Sequence, residues 1–395
     1  MNVDYLKSLY ETGDCFDCID YLEDNLENLL SNPPKLPEEK AELEEYFEIA
    51  KNAYMDCLEW DLVNADKDDS STFSSLSKFL FLPGAFYNTD YEADLISYIT
   101  SVWQSFGKVR EKAHVSLVSD LIDSPSIDKR TNIVFRESHF SYMVGFLEEN
   151  VLDAFEAWKK LSEEQQEQIT LAAYPDAAYI ADVDFETANT IYSTIGQRKN
   201  KEEKYDAYFV AAFLANNSSD AYKDSNQDKY IAALDLSLSA HYHVLLEMES
   251  MMKYPASVKS DANEILEKIK KAAPEYKPSF VGVLDREIES AKAEIAKKEE
   301  YLSGYPKAKK SLTIKKIAAI LISVFVCNAL VTVLNAPELI LPFIISGAGF
   351  GFCVGVIIGN RGPYKKMLVD AAKNKITALN EDVKKLEEMK GNLLK

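Results

Sequence analysis

The chain has 395 residues, of which 47% are hydrophobic and 27% charged, so its length suits two or three domains of about 100–200 residues each. Its net charge of −20 is uneven, because residues 307–395 carry 14 Lys and Arg against 6 Asp and Glu, leaving 30 basic and 58 acidic residues in 1–306. Phosphate binding needs Lys and Arg, so nucleic acid is excluded as an expected partner of the acidic part. The 5 cysteines are too sparse for a disulfide framework, and the N-terminus lacks the basic and apolar runs of a signal peptide.

Apolar residues recur every three or four positions along most of the acidic part, which is the spacing of one helix face. A first stripe follows Pro37 and contains Leu43, Tyr46, Phe47, Ala50, Tyr54, Cys57 and Leu58. Two further stripes contain Leu95, Tyr98, Ile99, Val102 and Phe106, and then Phe146, Val151, Leu152, Phe155 and Leu161. No stretch shows sustained alternation with period two, so the sequence predicts an all-α fold.

A short motif in residues 1–65 lies where one predicted helix turns into the next. Its members are Gly13, Asp14, Cys18, Ile19, Leu22 and Leu26. The pattern resembles the tetratricopeptide repeat, and a looser match lies at Asp184–Tyr192. Cys15 departs from the family where an aromatic residue is usual, and Asn25 where alanine is usual. The resemblance implies helical hairpins that present a surface to partner proteins, and the alternative is an ordinary α-hairpin.

Residues 76–270 are predicted to form an acidic all-helical domain with one weak candidate for calcium binding. Its oxygen ligands would come from Asp224, Asn226, Asp228 and Asp235, at the spacing of a helix–loop–helix calcium loop. Lys229 stands where that loop needs glycine for its sharp turn. A polar loop between helices is therefore the favoured interpretation, and calcium binding by Asp224–Asp235 stays open.

Two other patterns have the spacing of a chemical site but lack its context. His243 and Glu247 lie one helical turn apart, while His241 points to another face, and two groups do not make a metal site. Cys15 and Cys18 have the spacing of a redox motif without the strand and helix that accompany it. We therefore predict no catalytic, cofactor-binding or metal-binding residue.

Two uncharged runs near the C-terminus approach the ~20 apolar residues that span a bilayer. They cover residues 317–334 and 339–359, and the turn between them carries Glu338. Two uncharged runs in a chain that is 27% charged favour membrane insertion over a buried hairpin. The sequence thus predicts an integral membrane protein with two transmembrane helices in a lipid bilayer.

Basic residues flank this predicted hairpin on both sides and set its expected topology. They are Lys309, Lys310, Lys315, Lys316, Arg361, Lys365 and Lys366. Positive flanks stay in the cytoplasm, so both termini are predicted to be cytoplasmic.

The second run carries a glycine at every fourth position. These glycines are Gly347, Gly351, Gly355 and Gly359. Small residues at this spacing form a glycine zipper, which lets another membrane helix approach closely. The other helix is either the first run of the same hairpin or the same run in a second copy, which would make a homo-oligomer.

Two amphipathic helices are predicted beside the hairpin, at residues 280–304 and 364–395. The second keeps heptad spacing through Val369, Ala372, Ile376, Leu379, Val383, Leu386 and Leu393. Lys390 is the one polar interruption of this stripe. The two helices suit an antiparallel coiled coil, and the alternatives are self-association and packing against the acidic domain.

The leading functional hypothesis is a membrane-anchored helical scaffold that presents its acidic cytoplasmic domain to partner proteins, for which a basic partner is expected. The rival is an oligomeric membrane effector, pore or transport component assembled through the glycine zipper. A third hypothesis, an enzyme, requires a buried polar cluster in a pocket of the acidic domain.

Overall fold

The computed structural model describes residues 2–31, 37–64, 92–247, 255–304, 313–315, 317–323, 326 and 366–394. All regular elements in these ranges are helical, which confirms the all-α prediction for this part of the chain. The chain divides into two compact units, Met1–Tyr276 and Lys277–Lys395.

The first unit is built from α-helices that we number α1 to α11. They are α1 Val3–Thr12, α2 Cys15–Ser31, α3 Pro37–Asn64, α4 Glu92–Asp123, α5 Ile127–Asn150, α6 Glu156–Lys159, α7 Glu163–Leu171, α8 Ala177–Thr194, α9 Lys201–Tyr222, α10 Gln227–Glu247 and α11 Pro255–Ala272. Short 3-10 helices follow α5 at Leu152–Ala154 and α8 at Ile195–Gln197. Several helices begin at a residue whose side chain accepts a hydrogen bond from a free backbone N–H of the first turn, as Asn2, Ser162, Asp176 and Asn200 do.

The N-terminal half of the first unit packs around large aromatic side chains, and we call this cluster the aromatic core. Its largest fully buried members are Tyr46, Phe47, Tyr54, Trp103, Phe106, Phe140 and Trp158. The predicted stripe from Leu43 to Leu58 faces this core, and each of its seven residues is buried. The α1–α2 hairpin joins the core through Leu6, Cys18 and Leu22. Gly13 ends α1 where a Cβ would stand 2.7 Å from the Leu9 carbonyl oxygen, so the close turn favours glycine.

The C-terminal half packs around small side chains on α8, α9 and α10, and we call this cluster the alanine core. Its fully buried small members include Ala188, Ala207, Ala211, Ala215 and Ala240. Buried Ser237 on α10 donates a hydrogen bond to the Ala212 carbonyl on α9 at 2.9 Å. Helix α4 joins both regions, with Trp103 and Phe106 in the aromatic core and Val118 and Leu121 in the alanine core.

One predicted helical stripe, Phe146 to Leu161, is wrong. Helix α5 ends at Asn150, and a 3-10 turn and the short helix α6 follow it. Phe146 lies on the outer side of α5, whereas Val151, Leu152 and Phe155 are buried beyond its end. Apolar residues on opposite faces of two successive elements can have the same spacing as one helix face. The spacing alone therefore does not reveal that α5 ends at Asn150.

In the second unit, helices α12, Phe280–Ser303, and α13, Lys366–Leu394, lie antiparallel along each other. Their direction follows from two ion pairs, Lys390 with Asp285 at 2.5 Å and Lys292 with Glu387 at 2.8 Å. Six residues of the predicted heptad stripe are buried, namely Val369, Ala372, Leu379, Val383, Leu386 and Leu393. Ile376, the seventh, is partly buried.

The structure corrects the prediction of a two-span integral membrane protein with both termini in the cytoplasm. In the ranges it describes, no helix has both the length and the apolar character needed to cross a bilayer. The described part of the first predicted span begins with the helical residues 317–323. Of the rest, only Val326 is described, and the second run, 339–359, lies outside the described residues.

The residues singled out for that hairpin lie mostly outside the described ranges as well. This applies to Gly347, Gly351, Gly355, Gly359, Lys309, Lys310, Lys316, Arg361 and Lys365. Of the basic flank, Lys315 belongs to the exposed helical residues 313–315, and Lys366 begins α13.

Candidate protein-interaction surface

Helix α5 has apolar residues on both of its faces, unlike an ordinary amphipathic helix. Its inner face contributes Ile133, Phe140, Met143, Val144 and Leu147, which are all buried. Arg136 ties the helix to α3 by donating a hydrogen bond to the Leu62 carbonyl. The packing of the inner face therefore fixes which side chains point outward.

The outer side of α5 carries four exposed rings, Phe135, His139, Tyr142 and Phe146, which we call the aromatic face. Their spacing of four, three and four residues places them on one side of the helix. The exposed fractions are 44% for Phe135, 72% for Tyr142 and 42% for Phe146. Phe135 and His139 stack, with ring centroids 6.1 Å apart and planes 6° from parallel. The face extends about 16 Å along the helix axis at 1.5 Å per residue.

Uncharged residues surround these rings on the same side of α5. By the 3.6-residue repeat they are Thr131, Asn132, Ser138 and Gly145. A Cβ at Gly145 would meet no atom within 4 Å, so the space beside Tyr142 and Phe146 is open. The nearest charged residues on this side are Asp128 before the rings and Glu149 after them.

The C-terminal end of the aromatic face leads into a strongly negative surface. Residues 148–167, which we call the acidic segment, contain seven Asp and Glu against Lys159 and Lys160. Six of these seven acidic residues are exposed, and Glu148 is the partly buried one. Glu148 accepts a hydrogen bond from the Thr170 hydroxyl at 3.2 Å, which places the end of α7 beside the end of α5. The surface therefore combines an uncharged aromatic stretch with a negative end.

A cluster of four charged residues holds α5 against α4 and α8, and we call it the ionic cluster. Arg110 Nη2 donates to Glu137 Oε2 at 2.6 Å, and His114 Nε2 lies 2.8 Å from Asp184 Oδ1. His114 Nδ1 is 3.6 Å from Glu137 Oε1, so the imidazole lies between two carboxylates. Arg110, His114 and Asp184 are buried, and Glu137 is partly buried.

The carboxylates decide the protonation state of His114. Burial lowers the pKa of His114, but hydrogen bonds to Asp184 and Glu137 outweigh it and raise this pKa to about 9. Burial raises the pKa of Glu137, but His114 and Arg110 together lower it below its usual value. At neutral pH the His114 imidazolium and the Glu137 carboxylate are therefore both charged, and their opposite charges lie side by side inside the fold.

Aromatic rings complete the surroundings of Arg110. Its guanidinium carbon lies 4.4 Å from the Phe140 ring centroid and 4.7 Å from that of Tyr174. Its Nε and Nη1 atoms have no hydrogen-bond partner among the described residues, and the two ring faces lie against the cation instead. Arg110 Nη2 is also 3.3 Å from the Ser141 hydroxyl on α5. The cluster thus links α5 to the aromatic core as well as to α8.

The weak candidate for a calcium loop does not form around the ligands that its spacing suggests. Helix α10 begins at Gln227, so only Asp224 to Asn226 of that stretch lie outside a helix. Asn226 instead accepts a hydrogen bond from the Lys229 backbone N–H at 3.0 Å, as a residue at a helix start does. Within the described ranges, no three His, Cys, Asp or Glu side chains are placed to hold a metal ion.

Hydrogen bonding and burial account for the histidines and cysteines that the sequence singled out. His243 Nδ1 lies 2.9 Å from Glu247, which confirms their one-turn spacing, and His241 Nδ1 lies 2.8 Å from the Ser237 carbonyl. Burial raises the pKa of the Cys18 thiol to about 11 and also raises that of Cys15, so neither favours the reactive thiolate.

Sequence reasoning missed both the aromatic face and the ionic cluster. His114 and Asp184 are 70 residues apart in the chain, and nothing in their local patterns pairs them. The spacing of Phe135, Tyr142 and Phe146 was visible, but the same period describes a buried face equally well.

The chain has no match among protein-family models, curated proteins or solved structures. The resemblance of the first hairpin to tetratricopeptide repeats therefore stays a prediction.

Proposed function

We propose that the first unit is a protein-interaction module and that it binds a partner protein through the aromatic face of α5. The observation that carries this proposal is that four rings share one uncharged side of a single helix. Large exposed apolar patches on folded proteins commonly mark interaction sites, and Tyr and Phe are enriched there. The strongly acidic composition of this unit favours a basic partner.

The energetics support binding at this surface. Fully burying an exposed phenylalanine side chain contributes roughly 1.5–3 kcal/mol, so covering Phe135 or Phe146, which are 44% and 42% exposed, contributes about half of that. Tyr142 is more exposed than Phe135 and Phe146, so it has more surface to bury than either of them. Its hydroxyl can keep a hydrogen bond at the edge of an interface while its ring is covered.

Rigidity of the helix supports the proposal as well. The inner face of α5 is buried, and the ionic cluster ties Glu137 to Arg110 and His114. A surface that is ordered before binding loses less conformational entropy when the partner docks. If the α1–α2 hairpin is a tetratricopeptide-like unit, as its motif suggests, partner binding by this unit has a further parallel in helical repeats.

The proposal is tested by quantitative pull-down with the full chain from extracts of its source cells. The test variant carries Tyr142→Ser and Phe146→Ser, and the matched control carries Tyr179→Ser, at a tyrosine on α8 that is 46% exposed. We expect one or more proteins to be retained by the wild type and by the control and to be lost with the double variant. Identical retention by all three chains, at unchanged circular dichroism, would rule the aromatic face out as the binding surface.

A further inference from the structure

We infer that the partner segment is a basic amphipathic helix that lays its apolar side on the aromatic face and points its basic end at the acidic segment. This inference rests on the proposed function and adds the chemistry and the direction of the partner. Three observations carry it: the shape of the face, its length and the distribution of charge along it.

The shape of the face favours a helix as its occupant. The rings at 135, 139, 142 and 146 form ridges separated by three or four residues, and such ridges pack into the grooves of another helix. The space beside Gly145 offers a groove for a side chain from the partner. A partner strand would need a free strand edge, and the part of the chain that the structure describes contains no strand.

The length of the face limits the partner to a short helix. About 16 Å of helix corresponds to roughly three turns, so the apolar side of the partner needs three or four anchors spaced as i, i+4, i+7 and i+11. Uncharged residues surround the rings, so charged side chains of the partner would find no opposite charge in the middle of the contact.

The distribution of charge decides the sign and the direction of the partner. At one end of the rings the acidic segment has seven acidic residues against two lysines, whereas at the other end Asp128, Asp206 and Glu202 are accompanied by Lys129 and Arg130. The C-terminal end of α5 adds the negative end of its helix dipole to the same region. Lys and Arg gathered at one end of the partner would therefore be attracted to the end beyond Phe146.

The same charges disfavour a second copy of the chain as the occupant. Two copies joined through α5 would bring two strongly acidic units together, and like charges oppose such a contact. The basic helix removes this repulsion because its charge is opposite to that of the acidic segment.

The probe for the test is a synthetic helix of about 16 residues with leucines at i, i+4, i+7 and i+11 and four lysines at its C-terminal end. One control peptide has the same composition in an order without a leucine face, and a second carries Glu in place of each Lys. Binding of fluorescent peptides to the full chain is measured by anisotropy at low and high salt. We expect the leucine–lysine peptide to bind at least about tenfold more tightly than either control, and its binding to weaken as salt screens the charges.

Variants of the protein locate the binding. Tyr142→Ser with Phe146→Ser should weaken binding of the leucine–lysine peptide at least about tenfold, whereas Tyr179→Ser should change it less than about twofold. Glu149→Gln with Asp153→Asn should weaken binding at low salt only, by about two- to fivefold. Unchanged thermal unfolding of each variant shows that the fold is intact.

The outcomes separate this inference from the proposed function. Equal binding of the three peptides, or no effect of the aromatic variants on peptide binding, overturns the inference. If the same aromatic variants still lose a cellular partner in the pull-down, the proposed function stands with a partner of different chemistry. If sedimentation shows a concentration-dependent dimer that the aromatic variants abolish, the occupant is a second copy and the inference is wrong.

Discussion

The aromatic core and the alanine core are two ways of building one helical unit. In the first, bulky rings such as Trp103 and Phe106 fill the space between helices, with centroids 5.3 Å apart in an edge-on arrangement. In the second, buried residues such as Ala207, Ala211 and Ala215 let α9 approach its neighbours closely. A core filled by large side chains is sensitive to their removal, whereas a core built on close approach is sensitive to added volume.

The largest effect is expected from emptying the aromatic core. Trp103→Ala should lower the free energy of unfolding by about 3–5 kcal/mol, because Trp103 is 1% exposed and its loss leaves a cavity. Urea denaturation measures this change. The matched control is Trp60→Ala, at a tryptophan that is 50% exposed, where we expect a clearly smaller loss. Equal losses at the two positions would contradict the expectation that burial of Trp103 in the aromatic core sets the size of the effect.

The ionic cluster lies between the two cores, and we expect it to make the free energy of unfolding depend on pH. The pKa of His114 is about 9 in the fold against 6.5 for an ordinary histidine, so its protonation stabilises the fold fully below about pH 6.5. This contribution is lost as pH rises towards 9 and amounts to roughly 3 kcal/mol, because about 2.5 pKa units correspond to 1.36 kcal/mol each. The lowered pKa of Glu137 has the opposite sign, since its contribution is lost as pH falls below 4.5.

Urea denaturation at pH 6, 7.5 and 9 tests this dependence, with His114→Gln as the comparison. The wild type should lose stability over this range, and the variant should be less stable at pH 6 and change little as pH rises. Parallel curves for the two proteins would show that other groups control the alkaline loss.

The smallest of the three effects is expected from overfilling the alanine core. Ala211→Leu should lower the free energy of unfolding by about 1–3 kcal/mol, because α9 would have to move away from its neighbours. Ala211 is fully buried, whereas Ala178 on α8 is exposed, so Ala178→Leu is the matched control and should be nearly neutral. A neutral Ala211→Leu would mean that the close packing of this core has room to relax.

Local periodicity allowed the interior of the helices to be predicted well. The stripe from Leu43 to Leu58 is buried throughout, as are Leu95, Ile99, Val102 and Phe106, while Tyr98 is partly buried. Each of these residues could be placed because a helix with one apolar side must bury it. The antiparallel contact of α12 with α13 was one of several arrangements that heptad spacing allowed.

Features that depend on contacts distant in sequence could not be predicted in the same way. The pairing of His114 with Asp184 requires α4 and α8 to meet, which no local pattern specifies. The outward direction of Tyr142 depends on which side of α5 the core occupies, because both sides are apolar. The prediction of two membrane spans relied on the uncharged composition of two runs, and no helix among the described residues is long and apolar enough to cross a bilayer.

Lys390 selects the register of the helix pair in the second unit. Heptad repeats are degenerate, because sliding one helix by seven residues restores the apolar contacts. In the observed register Lys390 pairs with Asp285. A slide of one heptad would bring it to Lys292 in one direction and to Pro278, before the start of α12, in the other. The lysine in the apolar stripe therefore gives the two helices one alignment in which its charge is matched.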